Sequence, residues 1–290
     1  HRDLHLSIRR QRQMCIRDRD KENKARNVSS LVEDWNNVTV SKENLDRMKN
    51  TDLSSMPMIE EGFTLAPCIS GVGKFICIGL NYSDHAAEIG TDVPKEPIMF
   101  MKATSAICGP NDDIMIPKNS LKSDWEVELG VIIGKETKHI EEQQSQDHIA
   151  GYCVVNDLSE REFQLEHYGQ WVKGKSCDTF GPIGPYLVTK DEVADPQNLK
   201  MWLDVNDKRM QDGSTSTMVY GVNFLVSYLS QFMSLQPGDI ISTGTPPGVG
   251  MGKKPPLYLK PGDTMKLGIE HLGEQCHCLL YTSPSPRDRG

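Results

Sequence analysis

The sequence has no C-x-x-C pair, no net positive charge and no apolar run approaching the about 18 residues that a membrane helix needs. Each absence removes a class. Without a long apolar run, no membrane-spanning helix is expected. With 32 basic against 40 acidic residues and a formal charge of −8, the chain lacks the basic footprint of a nucleic-acid binder. Neither G-x-x-x-x-G-K-[ST] nor a strand-linked G-x-G-x-x-G occurs, which argues against a nucleotide-dependent enzyme. Internal repeats and low-complexity stretches are also missing. Aromatic residues are few, at 7 %, but hydrophobic residues reach 37 % of 290 positions, as in an ordinary soluble globular protein. A chain of this length buries about 70–75 % of its unfolded surface, in one large domain or two small ones.

Both ends read as foreign. Reverse-translated, Met14-Cys15-Ile16-Arg17-Asp18 gives ATG TGT ATA AGA GAC, part of a transposase-type sequencing-library adapter, and Arg9–Gln13 continues it upstream. Cys278–Asp288 reads as the complementary adapter. The alternative is a basic targeting peptide and a Ser/Pro tail, but a match at each outermost end favours the adapter. Residues 1–18 and 278–290 are therefore left out of the fold reading, and a native N-terminus with a targeting signal is open. The remaining 259 residues carry 25 basic and 37 acidic side chains, a charge of −12. Their six cysteines, at 68, 77, 108, 153, 177 and 276, are expected as reduced, buried small hydrophobes. A reducing cytoplasm is the expected location, or a mitochondrion if the native N-terminus is missing.

Residues 19–70 are polar, with short helical patterns around Ser30–Trp35 and Ser41–Met48, and are expected as a small accessory segment. From residue 71 the texture changes to short apolar runs broken by Gly, Pro and Asp. Strands are expected at Phe75–Gly79, Ile98–Lys102, Glu126–Gly134, Gly151–Asn156, Gly184–Thr189, Lys200–Val205, Asp239–Thr243 and Thr264–Glu270. One amphipathic helix is expected over Val219–Met233. Many short strands with few helices predict a mainly β domain, a rolled or sandwiched mixed sheet over about residues 71–277.

The stretch Asp124-Trp125-Glu126-Val127-Glu128-Leu129 carries the first chemical signal. In a strand Glu126 and Glu128 share a face, opposite Val127 and Leu129. Alone, this pair is more often the wet face of an amphipathic strand than a metal site. Asp157, at the end of the apolar run Gly151–Asn156, adds a third carboxylate. Three carboxylates without nearby Cys or His suit a hard cation: Mg²⁺, Mn²⁺ or Ca²⁺.

Four blocks then occur in order: Gly79-Leu80-Asn81-Tyr82-Ser83-Asp84-His85-Ala86-Ala87-Glu88; E-x-E with Asn156-Asp157-Leu158-Ser159-Glu160-Arg161-Glu162-Phe163-Gln164; Lys173-Gly174-Lys175-Ser176-Cys177-Asp178-Thr179-Phe180-Gly181-Pro182; and Ser242-Thr243-Gly244-Thr245-Pro246-Pro247-Gly248-Val249-Gly250. Together they resemble the fumarylacetoacetate hydrolase family across nearly all of 71–277. The resemblance implies a mixed β-sandwich roll, a homodimer, and a divalent metal held by Glu126, Glu128 and Asp157. It also implies that a short 2-oxo acid is cleaved or rearranged.

His85 and Glu88 stand one helical turn apart if Ser83 or Asp84 starts a helix, so the carboxylate can fix the imidazole tautomer and make a general base for water. The competing reading is a surface His–Glu pair. In relatives this element behaves as a lid, and Gly79 and Gly90 flank it as hinge positions. Lys175 matches the family's active-site lysine, with Lys173 as its competitor in register. Gln164 matches a substrate-contacting glutamine. Arg161 is a candidate substrate contact that can equally orient Asp157 or pair with Glu160 or Glu162. Thr245, in a Gly-rich loop, is expected to bind a carboxylate.

These parts predict hydrolysis of a C–C bond in an acylpyruvate-type 2,4-dioxo acid. Ureidoglycolate lyase, oxaloacetate decarboxylase and 2-oxo-enoate hydratase are the alternatives on the same site, and a non-catalytic metal-binding scaffold is the alternative outside enzymes.

Overall fold

The computed structural model of the chain describes residues 17–19, 25–59 and 64–281. Most of the two adapter-like tails, residues 1–16 and 282–290, lies outside the described residues. Strands β1 (Arg17–Arg19) and β2 (Ala25–Asn27) form a separate antiparallel pair. A seven-stranded sheet runs in the order β4 (Ile98–Lys102), β3 (Phe75–Gly79), β14 (Ile240–Ser242), β8 (Val127–Ile133), β9 (Ile149–Asn156), β11 (Gly181–Thr189) and β5 (Ile107–Cys108). A five-stranded sheet runs β13 (Lys208–Ser214), β12 (Lys200–Val205), β15 (Thr264–Ile269), β16 (Gly273–Tyr281) and β6 (Ile114–Ile116). A short ladder joins β7 (Ser123–Asp124) to β10 (Ser159–Glu160). The pairs β14–β3, β11–β5 and β16–β6 are parallel, so both large sheets are mixed. The helices are short: α1 (Lys42–Lys49), α2 (Ser83–Ile89), α3 (Val172–Lys175) and α4 (Val222–Ser230).

Period-two alternation builds the core. Val127, Leu129, Val131 and Ile133 of β8, with Tyr152 and Val154 of β9, pack in one cluster with Met201, Leu203 and Val205 of β12 and Met265, Leu267 and Ile269 of β15. Helix α4 adds Val222, Leu225, Val226 and Leu229. Each such side chain contributes about 1.5–3 kcal/mol by leaving water. The intervening residues face the other way: Phe75, Cys77, Ile132, Cys153, Val155 and Ile240 form a second cluster with Val40 and Ile69. The accessory segment thus covers the outer face of the seven-stranded sheet. It also has a small cluster of its own, Val28, Val32, Met48 and Leu53.

All eight expected strands are present, with ends shifted by at most three residues. The expected helix 219–233 is shorter, Val222–Ser230; just ahead of it Val219 N–H donates to the Asn81 carbonyl and Tyr220 N–H to the Asn81 side chain, at 2.8 and 2.9 Å. Ser41 caps α1 as expected, accepting from Asn44 N–H. The stretch 30–35 is not helical: Leu31 and Val32 N–H both turn back onto the Val28 carbonyl, and Ser70 N–H takes the Trp35 carbonyl. The cysteines differ from expectation too. Cys77, Cys108 and Cys153 are buried, Cys68 and Cys177 half-buried, and Cys276 exposed, because β16 alternates and turns Gln275 and His277 inward instead. The last strand runs through Tyr281, with Leu279, Leu280 and Tyr281 paired to β6.

Candidate active site

The outer face of β8 changes character along its length. Ile132 lies in the apolar cluster, whereas Glu128 and, just before the strand, Glu126 present carboxylates on the same face. Strand β9 runs antiparallel beside it, with Val127 opposite Asn156, so its end delivers Asp157 to that place; Asp157 N–H donates to the Glu126 carbonyl at 2.9 Å. One oxygen from each of Glu126, Glu128 and Asp157 lies within 4.8 Å of the others. None faces open water: all three side chains are buried, which rules out the wet-strand reading of E-x-E.

Cations hold this cluster together. Lys175 Nζ donates to Glu126 Oε2 at 2.6 Å and to Asp157 Oδ2 at 2.7 Å, and sits 5.0 Å from the Phe100 ring centroid. Lys102 Nζ donates to Asp157 Oδ1 and, at 2.9 Å, to the Leu158 carbonyl. The Arg161 fork reaches Asp124 through Nε (2.8 Å), Glu126 through one terminal nitrogen (2.7 Å) and Gln164 Oε1 through the other (3.0 Å). Burial would raise the Glu126 carboxyl, but Lys175 and Arg161 outweigh it and hold it at about 2. The same carboxylates push the Lys175 ammonium up against the opposing effect of burial. Glu128 is the exception. Burial first, then Asp157 and Glu126, push its carboxyl well above the usual range, and its hydrogen bonds come from uncharged donors, Ser242 Oγ at 2.6 Å and Gly244 N–H at 2.9 Å. Three convergent carboxylates, one of them lacking a cationic hydrogen-bond partner, fit a hard divalent cation with oxygen ligands.

Helix α2 carries His85 and Glu88, with His85 Nδ1 and Glu88 Oε2 at 3.1 Å. The Gly248 N–H donates to both Glu88 oxygens, at 2.9 and 3.0 Å. Gly248 has φ +110°, and a Cβ there would meet the Met210 carbonyl at 2.1 Å, so only glycine fits. Burial would raise the Glu88 carboxyl, but the His85 and Gly248 hydrogen bonds lower it on balance. This pair is not a surface His–Glu pair: the His85 side chain is 7 % exposed.

The loop 243–252 joins the two halves. Its Gly244 N–H holds Glu128, its Gly248 N–H holds Glu88, and its Gly250 and Met251 N–H groups hold Asp124 at 2.6 and 3.0 Å. The Thr245 hydroxyl donates to the Val127 carbonyl (2.9 Å) and accepts from Gln211 Nε2 (2.8 Å), so it ties the loop to β8. Arg161 pairs with Asp124 and Glu126, and not with Glu160 or Glu162; Glu160 instead accepts the Lys122 and Phe163 N–H groups. The two lysines of this stretch lie in different surroundings. Lys175 is buried, whereas Lys173 is exposed and reaches only the His167 carbonyl, at 3.3 Å. Sequence reasoning missed Asp124, Lys102 and Ser242. Asp124 carried a signal in its adjacency to E-x-E and Ser242 in opening the fourth block, whereas Lys102 carried none.

Residues 74–280 match the fumarylacetoacetate (FAA) hydrolase C-terminal domain. The chain belongs to the fumarylacetoacetate hydrolase family. It is 57 % identical over 257 residues, covering 88 % of this chain and 91 % of the relative, to a Burkholderia orbicola protein with the provisional name of a hydrolase. Fumarylacetoacetate hydrolase from the psychrophile Exiguobacterium antarcticum superposes with a TM-score of 0.81 at 33 % identity, covering 90 % of this chain and 94 % of that one. The 2-hydroxyhepta-2,4-diene-1,7-dioate isomerase of Mycobacterium marinum gives 0.65 at 34 % identity, covering 81 % of each. The mainly β mixed fold is thus that of the family, whose members carry out hydrolase, lyase and isomerase chemistry. Among the described residues no helix is long and apolar enough to cross a membrane.

Proposed function

We propose that this fumarylacetoacetate hydrolase family member is a divalent-metal-dependent hydrolase that cleaves a C–C bond in a short, acylpyruvate-type 2,4-dioxo acid. Glu126, Glu128 and Asp157 would hold Mg²⁺ or Mn²⁺, with Ca²⁺ also compatible with oxygen ligands. The observation that carries this reading is the shared loop: main-chain amides of 243–252 grip both Glu128 of the acidic cluster and Glu88 of the imidazole pair. Bound there, the cation supplies Lewis-acid polarisation of the substrate's 2-oxo group.

The chain's own groups do the rest. Glu88 accepts a hydrogen bond from His85 Nδ1–H, which keeps that proton on Nδ1 and leaves Nε2 to take a proton from water. The oxygen of that water adds to the distal carbonyl. The C–C bond then breaks, its electron pair goes to the pyruvate carbon, and His85 returns the proton there, giving pyruvate and a carboxylic acid that ionises to solvent. Lys175 offsets the enolate charge. Gln164, which spends its Oε1 on Arg161, keeps its amide donors for a substrate oxygen. Because the Thr245 hydroxyl is engaged, its contribution to a substrate carboxylate would come from the backbone of the loop, and Arg161 would act on the same anion only from beside Glu126. We also infer a homodimer, as the family resemblance implies, and a reducing cytoplasm, the latter supported by unbridged thiols at Cys77 and Cys153.

The test is loss of 1,3-diketone ultraviolet absorbance when the protein and Mg²⁺ meet an acylpyruvate. His85→Ala is expected to keep its metal while turnover falls about 10²–10⁴-fold. Metal lost together with turnover in that variant would sink the base assignment. The likeness to an isomerase gives the second reading, in which the same pair moves a proton without C–C cleavage; product analysis for pyruvate separates the two. A panel with oxaloacetate, ureidoglycolate and a 2-oxo-enoic acid tests the lyase, decarboxylase and hydratase alternatives, and silence on every substrate would favour the scaffold.

A further inference from the structure

Asp124 is fully buried and accepts four hydrogen bonds. Its Oδ1 takes the Trp125 N–H at 2.8 Å and the Gly250 N–H at 2.6 Å. Its Oδ2 takes Arg161 Nε at 2.8 Å and the Met251 N–H at 3.0 Å. These donors belong to two different parts of the site. Gly250 and Met251 continue the loop whose Gly248 N–H fixes Glu88, and the indole of Trp125, the next residue, donates to the Gly248 carbonyl at 3.1 Å. Arg161 spends the other end of its fork on Glu126. The ladder β7–β10 sets this register: Asp124 pairs with Ser159, and Arg161 N–H donates to the Lys122 carbonyl at 2.9 Å. The loop lies so close that a Cβ at Gly250 would meet the Leu257 carbonyl at 1.9 Å and Asp124 Oδ1 at 2.7 Å.

We infer that Asp124 is a positioning residue that couples the two halves of the site: through Arg161 it sets how much of Glu126 is available to a metal, and through Gly250 and Met251 it sets the Gly248 amide that orients Glu88. Both of its oxygens are taken up by these four protein donors, which leaves it no acceptor to offer substrate. An Arg161 deprived of Asp124 has Glu126 as its one carboxylate partner, so the guanidinium competes with the cation for that carboxylate. This inference rests on the metal reading above, which it deepens by naming a group outside the three ligands.

The test uses Mn²⁺ alone, titrated calorimetrically into the full chain, with acylpyruvate turnover measured alongside. Asp124→Asn, which keeps the shape but removes the charge, is expected to weaken Mn²⁺ binding about 10–100-fold, as loss of an outer partner of a metal ligand does. It is also expected to lower kcat more than it raises KM, because Glu88 is loosened while the substrate-facing groups stay. Arg161→Lys, whose ammonium cannot bridge Asp124 and Glu126 as the planar fork does, serves if Asp124→Asn fails to fold and should weaken Mn²⁺ similarly. Unchanged Mn²⁺ affinity in a folded variant, with only the melting temperature lowered, would overturn the inference and leave the metal reading standing. A wild-type chain that binds no Mn²⁺ would overturn both.

Discussion

The two ends of β8's outer face are equally dry and opposite in chemistry. At one end Ile132 belongs to the apolar cluster that includes Val40 and Ile69; at the other, Glu126 and Glu128 are held by Lys175, Arg161 and the loop amides. Burial by itself does not distinguish core from site, since all of these residues are shielded from water. What differs is how each end is stabilised. The apolar end gains from every methyl removed from water, in proportion to area. The charged end gains only from complete sets of partners, and the loss of one partner leaves another charge stranded.

The sharpest way to break the comparison is Glu126→Ala. It takes one of two carboxylate partners from both Lys175, which keeps Asp157, and Arg161, which keeps Asp124, so stability should fall by up to about 3–5 kcal/mol, and the metal and turnover should go with it; metal analysis and denaturant melts report both. Full metal occupancy in that variant would remove Glu126 from the ligand set. Next comes Ile132→Ala, expected to cost about 2–5 kcal/mol in the same melts while metal content stays at the wild-type level. If Ile132→Ala also lost metal, the two ends would not be separable. The smallest effect is on pH dependence. Glu126 ionises near 2 in the folded chain against 4.5 for an ordinary glutamate, so it favours folding above about pH 4.5, and that contribution disappears as pH falls from 4.5 toward 2. Urea midpoints across that window should therefore fall less steeply in Glu126→Gln than in wild type.

The same contrast explains what could be read before the fold was known. Strands such as Phe75–Gly79 and Lys200–Val205 stand out because apolar residues fill their buried positions. Strands β13 and β16 do not. The first, KRMQDGS, is a mostly polar edge strand; the second points Gln275 and His277 inward, where hydrogen bonds replace apolar packing. Glu126, Glu128 and Asp157 were legible because strand alternation and a strand end are local properties. Lys102 and Arg161 were not assigned their partners, since Asp157 and Asp124 lie 55 and 37 residues away in the chain and only the sheet order brings them together.

The loop 243–252 grips three carboxylates with peptide nitrogens rather than side chains. Every residue except proline brings the same N–H, so the donor itself carries no side-chain signature, although at Gly248 and Gly250 a Cβ would meet a carbonyl oxygen at 2.1 and 1.9 Å and only glycine fits. The grip depends on the path and the length of the chain, and Pro246 and Pro247 stand where none of those donors is required. Over evolutionary time the side chains at 247 and 251 are thus freer to drift than the segment's residue count, whereas Thr245 is held by its hydroxyl and Val249 is buried. One inserted or deleted residue would move the amides at Glu128, Glu88 and Asp124 out of step with one another at once.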